Sequence, residues 1–195
     1  MVPKIRSDLI FVILMIGLLI LPKLSLISYA SSIVELTLKE MCNQSSHIII
    51  SRVNSVESYH VKEQNRIFTD IELSVNEVLK GDLKENQKVK LTVYGGTVGE
   101  ITTFVVGAPN FRIGENSLLF LSETQSDKFG KVLAVLGLSQ GKFNIIVNPE
   151  TGEEEVFRDQ VQIALRLEKT GQYLDLTNQT PLKLREFLEK INQFN

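Results

Sequence analysis

Between Ile67 and Asn76 the chain alternates strictly: Ile67, Thr69, Ile71, Leu73 and Val75 fall on one side, and Phe68, Asp70, Glu72, Ser74 and Asn76 on the other. A period of two over that length predicts a half-buried antiparallel strand. Lys80-Gly81-Asp82 ends it, because Gly accepts a positive φ that Leu79 resists. Upstream, the β-branched run 47–56 predicts another strand, and the polar stretch 57–65 reads as its turn. Val89, Leu91 and Val93 form a third strand leading into Gly95-Gly96, and residues 101–106, 117–121, 131–138 and 142–147 supply four more. Asn148-Pro149-Glu150-Thr151-Gly152 is a turn by composition, so 153–157 returns as a short hairpin arm.

Helical spacing occurs at the two ends. Ile33, Leu36, Leu38 and Met41 predict a short opening helix over 33–43, with Ser31 or Ser32 as its cap. After Asp159, Val161, Ala164, Leu165 and Leu167 suit a short amphipathic segment. Thr180 is the expected N-cap of a last helix with Pro181 in its first turn, and Leu184, Phe187, Leu188 and Ile191 form its apolar stripe. A helix, many short strands and terminal helices make an α+β fold that is mostly β, with no βαβ alternation. About seven strands with glycines at their corners favour a small antiparallel, OB-like β-barrel with an N-terminal helix and one or two C-terminal helices.

The first thirty residues follow a different rule. Lys4 and Arg6 precede an apolar run from Leu9 to Leu21, then come Pro22 and Ser28-Tyr29-Ala30. A membrane span needs roughly 20 apolar residues, whereas an export signal needs about 7 to 15 followed by small residues. The pattern predicts a signal peptide over 1–30, cleaved between Ala30 and Ser31. The alternative is an N-terminal anchor, with Leu24, Leu26 and Ile27 extending the run past a snorkelling Lys23. Either way the following domain lies outside the cytoplasm: periplasmic, at the cell surface or secreted. The chain then divides into 1–30, a barrel domain over 31–160 and a C-terminal helical segment over 161–195 that packs on the barrel.

Charge narrows the partners. Lys and Arg total 21 against 23 Asp and Glu, so there is no basic footprint for nucleic acid or anionic lipid. A membrane partner is expected only if the N-terminal segment is retained. Cys42 is the single cysteine. No intramolecular disulfide can form, and a small buried hydrophobe is its expected role.

Signatures of catalysis are sparse in the chain. Only His47 and His60 exist, without the HExxH spacing of a hydrolytic zinc site, and no Ser stands in a Gly-x-Ser-x-Gly elbow. Gly137-Leu138-Ser139-Gln140-Gly141-Lys142-Phe143 departs from the phosphate loop in spacing and lacks Ser or Thr after its lysine. Consecutive Glu153, Glu154 and Glu155 alternate sides on a strand, unlike ligands staggered around a calcium loop. No cofactor, metal ligand or catalytic residue is assigned.

The least ordinary stretch is Gly95-Gly96-Thr97-Val98-Gly99 through Gly107-Ala108-Pro109-Asn110-Phe111-Arg112-Ile113-Gly114-Glu115. Glycines so dense in a strand region serve tight corners or the close approach of another backbone. Gly95, Gly96, Thr97, Gly99, Phe111 and Arg112 are the candidate binding residues, for an envelope protein or peptide. The rival reading is an envelope hydrolase or peptidase-associated enzyme whose acids are dispersed carboxylates such as Asp70, Glu72 and Glu115. A membrane-anchored structural subunit is the third.

An ordered series of segments carries a resemblance. It comprises Ser46-His47-Ile48-Ile49-Ile50-Ser51-Arg52-Val53, Val75-Asn76-Glu77-Val78-Leu79-Lys80-Gly81, the glycine-rich stretch with Leu118-Leu119-Phe120-Leu121, and Gly137 to Phe143. Over most of 33–157 the chain resembles a family of exported, largely uncharacterised bacterial proteins. More weakly, it is similar to the OB-like barrel of netrin-type and metalloproteinase-inhibitor domains. That resemblance implies a fold and no catalytic residue. The inhibitors chelate metal through an N-terminal cysteine, whereas the expected mature terminus here is Ser31.

Overall fold

The computed structural model describes residues 32–126, 130–158, 164–166 and 180–194. The expected signal segment and its cleavage site at Ala30 and Ser31 lie outside them. The described residues belong to one compact unit, Ser31–Asn195. In chain order they form β1 (Ser32–Val34), α1 (Leu38–Gln44), β2 (His47–Val61), β3 (Arg66–Lys80), β4 (Lys88–Tyr94), β5 (Gly96–Val98), β6 (Ile101–Thr103), β7 (Asn116–Ser126), β8 (Gly130–Val135), β9 (Lys142–Val147), β10 (Glu154–Arg158), β11 (Ala164–Arg166), β12 (Leu182–Lys183) and α2 (Leu184–Asn192). The fold is mostly β, built on one large sheet with two short helices.

The sheet runs β12-β10-β9-β7-β2-β3-β4-β8. Beyond its contact with β2, β7 also pairs antiparallel with β8, from Leu121↔Val135 to Ser126↔Gly130. The pairing β4–β8 is parallel and consists of Leu91↔Leu133. Hydrogen bonding therefore passes through β2, β3, β4, β8 and β7 and returns to β2, with one parallel pair as its thinnest link. Register shifts at Ile48/Ile49, Ile50/Ser51 and Val53/Ser55 mark irregularities in β2. Such bulges bend and twist a strand, letting it serve two neighbours around a curved surface.

Burial explains which strands alternate. β3 has one buried face, Ile67, Thr69, Ile71, Leu73 and Val75, as its period of two predicts. The first part of β2, His47–Ser51, and Ser117–Leu121 of β7 are buried on both faces, so Ile48-Ile49-Ile50 and Leu118-Leu119-Phe120-Leu121 are continuous apolar runs. Ile48, Ile50, Leu118 and Phe120 join Met41 and Cys42 of α1 and Leu184, Phe187 and Ile191 of α2 in one core. Ile49, Val53, Leu119 and Leu121 join Ile71, Leu73, Leu91 and Phe111 in the other. Phe143 packs on Phe120 of β7 at 5.8 Å and reaches α2 through Phe187 at 4.8 Å between ring centroids.

Several boundaries depart from the sequence reading. The polar stretch 57–65 is mostly strand: β2 continues to Val61, and the reversal is the short 3-10 turn Lys62–Gln64 closed by Asn65 at φ +49°. Polar residues are compatible with strand there because one side of β2 faces solvent, as Glu57 does. The opening helix begins only at Leu38. Its cap is Thr37, whose hydroxyl accepts from the Glu40 N–H while the Glu40 carboxylate accepts from the Thr37 N–H. Residues 32–34 instead pair parallel with 164–166, so this part of the expected C-terminal helical segment is strand. The last helix starts after Lys183, not at Thr180, because Leu182 and Lys183 first pair with β10. Its stripe of Leu184, Phe187 and Ile191 is buried as expected.

Candidate binding site

The glycines after β4 create the most distinctive local geometry. Gly95 has φ +105° and Gly96 φ +126°, a region that side chains resist. Thr69 Oγ1 donates to the Gly95 carbonyl at 2.7 Å and lies 2.8 Å from Ser58 Oγ. A Cβ on Gly96 would sit 2.2 Å from Thr69 Oγ1 and 2.4 Å from Ser58 Oγ. Only glycine lets the backbone lie directly over this hydroxyl pair. From there the chain folds into the hairpin β5–β6, with Gly96 opposite Thr103 and Thr97 opposite Thr102.

After Thr103 the chain crosses as a strap to Phe111, which is buried in the β2–β3–β7 core. Beneath the strap lies an open, mostly apolar cavity of about 360 Å³. Its walls include Val56, Ile71, Val93, Gly95, Gly96, Phe104 and Phe111, and its hydroxyls come from Ser58, Thr69, Thr102 and Thr103. Tyr94 is the only titratable side chain among its lining residues. A smaller cavity of about 160 Å³ shares Val93, Tyr94, Val105, Ala108 and Pro109 and continues to Ala134, Val135 and Leu138. Phe104 is 66 % exposed, Ile101 61 % and Ile113 69 %, with Val106 also in solvent. Large apolar side chains concentrated in one short segment mark a contact surface more than isolated ones do.

Of the six residues singled out in the sequence, Gly95, Gly96 and Phe111 meet at this cavity. Phe111 contributes from the core side and is 6 % exposed. Thr97, Gly99 and Arg112 are exposed and lie outside the lining, with Thr97 Oγ1 bonded to Thr102 Oγ1 at 3.0 Å. The sequence reading missed Phe104, Val105, Ala108 and Pro109. Residues 101–106 alternate well enough to pass for a longer strand, but β6 ends at Thr103. The detectable signal was Gly107-Ala108-Pro109, a poor continuation for any strand.

Elsewhere several charged groups are committed to ion pairs within the fold. Asp70 pairs with Lys90 at 2.6 Å, Glu72 with Lys88 at 2.9 Å and Glu115 with Lys142 at 3.0 Å, so the three dispersed carboxylates each hold a separate lysine. The Lys88 hydrogen bond holds the Glu72 carboxyl below its ordinary range. His47 is buried, with Ser46 Oγ 2.9 Å from Nδ1 and Asp82 Oδ1 2.8 Å from Nε2. This Ser-His-Asp line borders none of the cavities above, and Asp82 is 97 % exposed on its side chain. Burial pushes the Cys42 thiol up, against the smaller opposing effect of Lys80. Among the described residues no cluster of three or more His, Cys, Asp or Glu could hold a metal ion, and no helix is long and apolar enough to cross a membrane. Gly137–Gly141 is the connection between β8 and β9, where Leu138 has φ +64° and Gln140 bonds the Val34 carbonyl and the Leu36 N–H.

No known family model, curated protein or solved structure matches the chain.

Proposed function

We propose that this is an exported, non-catalytic binding domain that holds an apolar segment of an envelope protein or peptide at the strap cavity. The observation that carries this reading is the pairing of a preformed apolar cavity with Phe104, Ile101, Val106 and Ile113 in solvent around the same segment. A cavity walled by Val56, Ile71, Val93 and Phe111, with a few hydroxyls for orientation, suits recognition. Its lining offers no carboxylate, imidazole or amine for proton transfer. The strand order β2-β3-β4-β8-β7, with β4 and β8 parallel, supports an OB-like barrel as the scaffold. Export rests on the basic, apolar and small-residue pattern of residues 1–30.

The test is Phe104→Asp, alone and with Val106→Asp, in the tagged full chain purified from its native envelope. Loss of the co-purifying partner with an unchanged unfolding curve is expected. A partner retained at full yield by the double variant would overturn the assignment.

A further inference from the structure

Lys142 is the most deeply buried charged side chain among the described residues, at 2 % exposure, and its surroundings are unusual for an amine. It lies on β9 two residues before Asn144, while Phe143 between them turns to the helix-covered core. Register pairs Lys142 with Leu119 and Asn144 with Ser117, so both side chains share the face opposite the helices. Asn144 is buried too. The Lys142 ammonium donates to the Asn144 side-chain carbonyl and lies 3.0 Å from Glu115 Oε1. The ring of Phe111 closes over it, 5.1 Å from its centroid. An amine, a carboxamide and a carboxylate thus meet under an aromatic cover, where little water competes.

We propose that Lys142 and Asn144 form an intramolecular isopeptide bond, with Glu115 moving the proton. The ammonium first gives a proton to the Glu115 carboxylate, leaving a neutral amine. The nitrogen lone pair then attacks Asn144 Cγ, whose oxygen carries the developing negative charge. Glu115 returns its proton to the amide nitrogen, the Cγ–Nδ2 bond breaks, and ammonia leaves as the carbonyl reforms. The new Nζ–Cγ amide gives up the amine's remaining extra proton to solvent or to the released ammonia. Atoms and charge balance, and no oxidant, metal or cofactor takes part.

Three physical arguments favour the step. The hydrogen bond to Asn144 Oδ1 holds Nζ beside the carboxamide, which makes a very slow amide exchange intramolecular, and for well-oriented groups effective molarities reach about 10⁵–10⁸ M. A buried ammonium is costly to maintain, and the step replaces it with a neutral amide, while the Glu115 carboxylate, 18 % exposed, keeps contact with solvent for its own charge. Same-face neighbours on a strand are about 6.5–7 Å apart at Cα, within the reach of a lysine folded back along β9. The product would fix residues 142–144 at the start of β9 and remove the buried charge under Phe111.

The test is mass spectrometry of the purified full chain after denaturation and tryptic digestion. The expected result is a peptide spanning 132–158, uncut after Lys142 and lighter than its sequence by one ammonia. Glu115→Gln and Asn144→Ala should each restore cleavage after Lys142 and the full sequence mass. Complete cleavage after Lys142 in the unsubstituted chain, with both fragments at sequence mass, overturns the proposal. Ammonia loss confined to the 143–158 fragment also overturns it, because that is a succinimide at Asn144 with Lys142 left free. The wild-type digest decides the matter whether or not the variants fold, and it is independent of what binds at the strap.

Discussion

Over Ile48, Ile50, Leu118 and Phe120 the sheet is roofed by two helices, whereas the chain from Ile101 to Ile113 leaves four large apolar side chains in solvent. Both regions come from sequence rich in apolar residues. The difference lies in what each can reach. Met41, Cys42, Leu184, Phe187 and Ile191 have the apolar face of β2, β7 and β9 to cover, and both helices join the same core. The strap is held at its far end by the buried Phe111, while Gly95 and Gly96 keep the start of the hairpin close to Thr69 and Ser58, and a cavity lies between. The roofed side satisfies itself. The strap side keeps a cavity and an apolar rim, which is why the binding assignment is placed there.

The widest separation should appear in stability. Phe120→Ala, at a fully buried ring packed against Phe143, is expected to cost about 3–5 kcal/mol, whereas Phe104→Ala should stay within about 0.5 kcal/mol as a surface change. Urea unfolding of the two variants measures both, and equal losses would erase the distinction between the regions. Within the strap side, glycine positions should divide as well. Gly96→Ala combines positive φ with a collision on Thr69 and Ser58 and should cost about 2–4 kcal/mol. Gly99→Ala at φ +60° meets open space and should cost only about 1–2 kcal/mol. A reversed order would mean that the hairpin, and not the hydroxyl floor, sets the geometry.

On the roofed side, Cys42 is fully buried and its thiol is raised by desolvation. It should resist a disulfide exchange reagent at neutral pH in the folded chain and react promptly in urea. Fast labelling without denaturant would show that the helices open more readily than their packing implies. The smallest effect concerns the solvent-facing pair Glu72–Lys88. The depressed Glu72 carboxyl contributes stability above its unfolded pKa, and that contribution is lost as pH falls through its folded pKa. Lys88→Ala should return the Glu72 titration, followed by NMR, toward the ordinary carboxylate range. Its slight destabilisation should be present at neutral pH and vanish in acid.

Much of the fold was legible because burial imprints a period. β3 was readable residue by residue, and the stripe of α2 was correct even though its start was not. The misses share a cause: a neighbour overrode local preference. Thr180 and Pro181 look like a helix start, but the edge of β10 is available to Leu182 and Lys183, so the chain pairs first and coils afterwards. Residues 57–61 look like a turn until β3 is long enough to pair with them. Phe68 fell on the polar face, where it in fact packs between Tyr59 at 6.3 Å and Tyr94 at 5.5 Å, an arrangement that requires three strands in register. The candidate site was half legible. Gly95 and Gly96 announce a close approach, but nothing local says that it is made to Ser58 and Thr69, respectively 38 and 27 residues before Gly96. Lys142 and Glu115 lie on segments apart in the chain: β7–β9 pairing brings the segments together, and the length of the lysine side chain closes the remaining gap.

The central claim is that the strap side holds a partner and the roofed side does not. The most direct measurement places a photo-crosslinking amino acid at Phe104 and, separately, at the exposed Lys190 of α2, in full chains produced in their native cells. A discrete cross-linked species at position 104 that is absent at position 190, and is lost when Val106→Asp is added, is the predicted result. Adducts at position 190 with none at position 104 would contradict it.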